Sequence, residues 1–167
     1  KHKVLVEQEL MQNQNSISLR LATVFGMSPR MRLDLLVNDF VFKAVKDRYI
    51  VLFEAEFKRN YIHVRDVCRA FIHSINNFDK MKTNIYNLGL SDANISKKEL
   101  CEEIKKFVDF EYSINEIKKD PDQRNYIVSN KKIESTGFTA KYTLADGIKE
   151  LKRGYQGINI TQFKNFS

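Results

Sequence analysis

A nearly continuous apolar run from Leu19 to Phe25, closed by Gly26, leaves few folds open to this chain. A strand that is apolar at almost every position, rather than every second one, must be covered on both faces. Parallel sheets flanked by helices provide that cover. Residues 16–25 are therefore expected to form one strand of an α/β sheet, which Gly26, Ser28 and Pro29 end. Beyond it come Arg30 and Arg32, a helix carrying Asn38, and a strand with Arg59 at its mouth. That layout suits an anionic ligand held at the end of the sheet.

The rest of the chain alternates between helical and strand periods. Residues 1–12 read as the later part of a helix ending in Leu10 and Met11. Leu33, Leu36, Val37, Phe40, Val41, Ala44 and Val45 predict an amphipathic helix over 31–46. Short strands are expected at 49–53 and 60–64. Asp66 stands where a carboxylate favours a helix N-terminus, and that helix would turn Val67, Ala70, Phe71, Ser74 and Ile75 inward. Another buried strand is expected at 85–89. Ser96 and Glu99 form a capping box for a helix to about Val108, with Leu100, Cys101, Ile104, Phe107 and Val108 inside. Residues 112–114 read as a small strand and 120–124 as an exposed polar loop. Thr143 and Asp146 cap a last helix whose inner face is Leu144, Ile148, Leu151 and Tyr155. The segment after Gly157 carries no strong pattern and is expected to be loosely held.

A length of 167 residues is one ordinary domain, and 43% apolar residues with 12 Phe and 7 Tyr argue for a packed core over disorder. No apolar run approaches the roughly 20 residues of a membrane span, so a soluble protein is expected. The chain opens on Lys1 with no signal-peptide pattern and reads as the interior of a longer polypeptide. Cys68 and Cys101 lack metal-ligand spacing and read as small buried apolar groups in a reduced, cytoplasmic setting. The three histidines add no metal constellation, and His63, between Ile62 and Val64, reads as a strand histidine with a satisfied ring. The net charge of +7 admits a nucleic-acid partner. Against that, Lys97, Lys98, Lys105 and Lys106 interleave with Glu99, Glu102 and Glu103, as on a solvated helix face. No G-x-G-x-x-G phosphate loop is present.

Lys3-Val4-Leu5-Val6-Glu7-Gln8, with Glu four residues after the lysine, resembles the end of the Tyr-x-x-x-Lys helix of extended short-chain dehydrogenase/reductases, the nucleotide-sugar epimerase and dehydratase branch. Arg20, Val24, Phe25 and Gly26 match that family's Arg-x-x-x-Val-Tyr/Phe-Gly strand. Arg59 to Val67 is similar to its phosphate-clamp strand, and Tyr86 to Gly89 to its Tyr-Asn-Leu-Gly strand. Arg124 with Asn130-Lys131-Lys132 matches its late arginine and Asn/Asp-x-Lys segment. The matches fall in the family's order along nearly the whole chain. Residues 22–40 look closest to enzymes acting on GDP-linked heptoses, which oxidise or epimerise C4 of the sugar in bacterial surface-polysaccharide synthesis.

The resemblance implies the C-terminal portion of a Rossmann-type doubly wound sheet plus the small substrate-binding α/β domain. Residues 1–26 would close the dinucleotide-binding part and 27–60 belong to the substrate-binding segment. Residues 61–95 would return to the Rossmann part, and 96–167 complete the substrate domain. NAD is the implied cofactor. Lys3 would hydrogen-bond the nicotinamide ribose and lower the pKa of a catalytic tyrosine, which would lie before Lys1. The glycine loop and the assisting Ser/Thr are likewise outside this chain, which alone would be inactive. Ala22, Thr23 and Val24 would lie against the nicotinamide, with Thr23 also reaching the substrate. Arg59 would grip a phosphate as a planar fork, with Tyr61 beside it. Asn38, Arg30, Arg32 and Arg124 would complete the grip on the nucleotide-sugar substrate.

The implied enzyme is an NAD-dependent epimerase, dehydratase or C4 dehydrogenase, working as a cytoplasmic homodimer with neither nucleic acid nor membrane as partner. The alternative is a non-enzymatic basic domain that binds RNA or an acidic protein. Either way, the strands at 19–25 and 85–88 would lack central sheet neighbours, so a preceding half or another chain is expected over their edges.

Overall fold

The computed structural model describes residues 2–115 and 124–157. Helix α1 (His2–Gln12) leads into β1 (Ile17–Leu21), β2 (Thr23–Phe25), α2 (Leu36–Lys46), β3 (Tyr49–Leu52) and β4 (Lys58–His63). Then come α3 (Val64–Asn76), the short α4 (Phe78–Met81), β5 (Asn84–Leu88), β6 (Asn94–Ser96), α5 (Lys97–Lys105) and β7 (Glu111–Ile114). The short α6 (Lys131–Glu134) and the long α7 (Leu144–Gly157) complete the set. This is the expected α/β architecture. The expectations for 120–123 and for the segment after Gly157 lie outside the described residues.

The apolar run at 16–25 is two strands rather than one. β1 runs parallel to β5, from Ile17 opposite Asn84 to Leu21 opposite Leu88. β2 runs parallel to β4, from Thr23 opposite Tyr61 to Phe25 opposite His63. The chain changes partner at Ala22, whose N–H donates to Leu88 O at 2.9 Å. The cause is Asn60, which is fully buried and donates from Nδ2 to Leu90 O at 2.6 Å. Its amide fills the gap between strands so tightly that a Cβ on Gly89 would fall 1.6 Å from Asn60 Oδ1. β4 also pairs antiparallel with β6, and β3 pairs parallel with β7. Among the described residues β1 and β5 pair only with each other, and Leu21 is 44% exposed on that ribbon.

Two inward faces differ from expectation. α3 buries Asp66, Ala70 and Ser74, whereas Phe71 and Ile75 are 51% and 71% exposed. Asp66 sets this rotation. Its buried carboxylate accepts the backbone N–H groups of Lys141 and Tyr142 and an N–H of Arg69, so the stripe at i, i+4 and i+8 must face that loop. Replacing it by alanine leaves the part-buried amides of Lys141 and Tyr142 without their acceptor. Asp66→Ala is expected to cost about 3 kcal/mol, read as a shift in urea midpoint, with Asp66→Asn intermediate. Lys97 is also buried rather than solvated: its Nζ donates to Phe53 O at 2.7 Å beside the Phe57 ring.

The capping box at Ser96 and Glu99 forms as expected, and Thr143 and Asp146 bond reciprocally at the start of α7. α7 buries Ile148, Leu151 and Tyr155 against α2, where Phe42 meets Tyr155 edge-on. α2 starts at Leu36, not near 31, because Asn38 Nδ2 donates to Arg32 O and holds the preceding residues as a loop. Cys101 is buried, and burial pushes its thiol up to about 12. Cys68 is exposed, contrary to the reading of both cysteines as interior groups.

Candidate functional site

The charged end of β4 is assembled from distant parts of the chain. Lys58 N–H donates to Asn125 Oδ1 at 3.0 Å, and Tyr126 N–H donates to Lys58 O at 3.2 Å. Asn94 on β6 extends the staple by bonding both the carbonyl and the N–H of Val128. Arg124, itself exposed, is thereby brought to the strand end that carries Arg59. Arg59 is only 3% exposed, and Tyr61 follows two residues later on the same side of the strand. Thr23 is opposite Tyr61 in the register. Burial pushes the Tyr61 phenol up while the Arg59 charge pulls it the other way, and its hydroxyl has no hydrogen-bond partner among the described residues. An interior cation beside an unsatisfied hydroxyl is suited to a hydrogen-bonding anion.

The loop after β2 is held at consecutive amides. Gly26 N–H donates to Asn38 Oδ1 at 3.1 Å, and Met27 N–H donates to Glu150 Oε1 at 3.0 Å. With its Nδ2 on Arg32 O, the amide of Asn38 is engaged at both ends by its own chain, and the residue is 3% exposed. In this structure it positions the loop. Arg32 forks onto Asp34 through Nε and Nη2, and that guanidinium holds the Asp34 carboxyl below the usual range. The Arg32 fork is thus already committed. Arg30 is exposed on the same loop.

Lys3 is exposed on α1, one turn before Glu7. Glu7 accepts two N–H groups of Arg20 and the hydroxyl of Ser18, which keys α1 onto β1. The Arg20 fork keeps the Glu7 carboxyl below its ordinary value. In the sequence Glu7 and Arg20 stand as separate family matches, with no signal that pairs them. Ala22, Thr23 and Val24 are half-buried where the chain passes from β1 to β2. Glu150, which no sequence signal singled out, ties α7 to the loop.

A cavity of about 540 Å³ opens elsewhere, lined by Lys46, Arg48, Phe107, Asp109, Lys152 and Gln156 among others. The C-terminal ends of α2 and α7 and the turn after α5 meet there. Arg48 donates to Asp109 O and Lys152 to Phe107 O, so these two cations already bond carbonyls of the segment that follows α5. Among the described residues no group of His, Cys, Asp and Glu is placed to hold a metal ion, and no helix is long and apolar enough to cross a membrane.

Solved structures that share the fold include three epimerases. The ADP-L-glycero-D-manno-heptose-6-epimerase of Helicobacter pylori superposes with a TM-score of 0.76 at 23% identity, covering 93% of this chain and 50% of that one. The UDP-glucose 4-epimerase of Thermotoga maritima, solved with UDP-glucose, gives 0.75 at 22% identity over 92% of this chain and 52% of that one. The Thermus thermophilus UDP-glucose 4-epimerase, solved with NAD, gives 0.73 at 19% identity over 93% and 51%. The chain thus spans about half the length of each. The family model described as NAD dependent epimerase/dehydratase family matches residues 2–89, more than half of the chain. The chain belongs to the NAD-dependent epimerase/dehydratase family.

Proposed function

We propose that this chain is the substrate-gripping part of an NAD-dependent nucleotide-sugar epimerase, dehydratase or C4 dehydrogenase, with a GDP-heptose-like substrate. The observation that carries the reading is the staple that draws Arg124 to the strand end holding the buried Arg59. Two arginines there match the two charges of a pyrophosphate. In this reading Arg59, Tyr61 and Arg124 hold the diphosphate, Arg30 and Thr23 reach the sugar side, and Asn38 and Arg32 keep the loop between them in place. Residues 1–26 and 61–95 belong with the dinucleotide-binding part, and 27–60 and 96–167 with the substrate domain.

Small half-buried side chains at Ala22 and Thr23, with Val24 beyond them, fit one wall of a nicotinamide pocket. Lys3, exposed on the helix keyed to that strand, fits the ribose contact. Bound NAD supplies the hydride acceptor and donor. Lys3 would hold the ribose and, by its positive charge, favour the ionised form of a tyrosine on the preceding turn. The open ribbon of β1 and β5 would be completed by the dinucleotide-binding half of the full protein, a cytoplasmic homodimer in surface-polysaccharide synthesis.

Calorimetric titration of the full-length protein with GDP-mannose and UDP-glucose tests this. Saturable binding of either supports the proposal. Binding of neither, with RNA affinity that falls steeply as salt rises, overturns it in favour of a basic RNA-binding domain.

A further inference from the structure

His63 stands where β4 becomes α3, and its ring is fully buried. Its Nδ1 accepts the backbone N–H of Arg65 at 3.2 Å and so caps α3. A nitrogen that accepts carries no proton, so the neutral ring holds its proton on Nε2. That Nε2 is 3.6 Å from Glu150 Oε2, longer than a hydrogen bond, and has no hydrogen-bond partner among the described residues, while the Arg65 guanidinium pairs with the same oxygen at 3.4 Å. The other oxygen of Glu150 is the one that accepts Met27 N–H. Tyr142 stacks on the imidazole at 4.7 Å and Phe25 meets it edge-on at 5.4 Å. Gly26 presses so near that a Cβ there would sit 2.6 Å from Nε2. Turning the ring over would put a carbon where the Arg65 N–H now finds its acceptor.

We propose that His63, locked as its Nε2–H tautomer, is a positioning residue: together with Arg65 it orients Glu150, and Glu150 fixes the loop after β2 that carries Arg30 and Arg32. This rests on reading that loop as one wall of the nucleotide-sugar site. The first turn of α3 sets the ring, the ring faces one carboxylate oxygen, and the other oxygen holds the loop. Without Glu150 the loop keeps its bonds to Asn38 at Gly26 and Arg32 and the local Ser28–Met31 contact, but loses the Met27 bond that ties it to α7.

The arrangement responds to pH. A second proton must go to Nδ1, where it would meet the Arg65 N–H at the positive end of α3. Burial holds the ring below the ordinary imidazole range. Glu150 pulls it up, Arg65 pulls it down, and Asp66 and Asp146 pull it up again. With the folded value depressed, the unfolded chain binds the proton first. The stabilising contribution is therefore present above about pH 6.5 and is lost as pH falls through the folded value.

The test uses the full-length protein. Long-range nitrogen NMR at pH 7.5 should show His63 as the Nε2–H tautomer; an Nδ1–H tautomer overturns the proposal. Hydrogen exchange at the Met27 amide, corrected for intrinsic rate, should quicken as pH drops from 7 to 5. Glu150→Ala should raise it about tenfold at pH 7, the loss of one hydrogen bond to a charged group. Glu150→Gln keeps one acceptor where the Met27 N–H and the His63 Nε2–H both face one, so it should quicken Met27 exchange by less than Glu150→Ala, and the loss of the carboxylate charge should flatten the pH dependence. His63→Asn keeps a cap for the Arg65 N–H but is too short to reach Glu150, and should quicken Met27 exchange by less than Glu150→Ala, since the Arg65 guanidinium still faces the carboxylate, while leaving the Arg65 amide protected. Unchanged Met27 protection in Glu150→Ala, or an unaltered pH profile in Glu150→Gln and His63→Asn, overturns the proposal. These readouts need no nucleotide, so failure of GDP and UDP to bind the wild type would count against the proposed function alone. If GDP-mannose binds, Glu150→Ala should weaken it about tenfold, because the loop it fixes carries Arg30 on the sugar side, and unchanged affinity would remove the positioning role.

Discussion

Gly147→Ala is expected to destabilise the protein by about 2–4 kcal/mol, although alanine is the better helix former. Gly147 lies in the first turn of α7, where exchanging glycine for alanine would ordinarily gain about 1 kcal/mol. Here the added Cβ would fall 2.1 Å from Phe25 Cε2, 2.7 Å from Phe25 Cδ2 and 3.1 Å from His63 Cδ2. Phe25 is 1% exposed and edge-on to the His63 ring, so it has no direction in which to retreat. Either α7 lifts away from β2 and β4 or the aromatic pair is displaced, and both uncover core. Urea unfolding of the full-length protein reads the effect as a lowered midpoint. A neutral or raised midpoint would mean that α7 does not seat on Phe25 as described. The same change should disturb Met27, because Glu150 is carried on the displaced helix.

Arg59→Ala is expected to weaken GDP or UDP binding about 100-fold, the loss of a bidentate charge-assisted contact in a desolvated place. Arg59→Lys should recover only part of this, because an ammonium cannot supply the planar fork. Arg32→Ala is the informative contrast. Its guanidinium is already forked onto Asp34, so the change should cost no more than about threefold. Calorimetric titrations of the three variants, with melting temperatures measured alongside, separate lost contact from lost fold. Equal losses at Arg59 and Arg32 would show that Asp34 releases its partner to the ligand and that the loop rearranges on binding.

Elements specified by neighbours in sequence are legible in the amino-acid string itself. Ser96 and Glu99 close a capping box because both lie within one turn, and Thr143 with Asp146 does the same for α7. The order of strands and helices follows from apolar period, and the arginine pattern locates the charged end of β4. Where string and fold disagree, the deciding residues are far apart. Phe71 and Ile75 look inward because their spacing is apolar, yet the reach of Asp66 to the amides of Lys141 and Tyr142 turns α3 the other way. Lys97 looks solvated because it sits among charges, yet the carbonyl of Phe53 draws it inside.

The sequence alone determined the α/β class, the helix caps, the family's run of motifs and the presence of arginines suited to an anion. These depend on local period and residue type, which a linear string displays. The tertiary structure decided where the strand breaks at Ala22, which amide groups Asn38 satisfies, and that Glu150 reaches Met27 across 123 residues. Those outcomes are contests for the same few buried donors and acceptors, and only the packed chain brings the competitors within reach of one another.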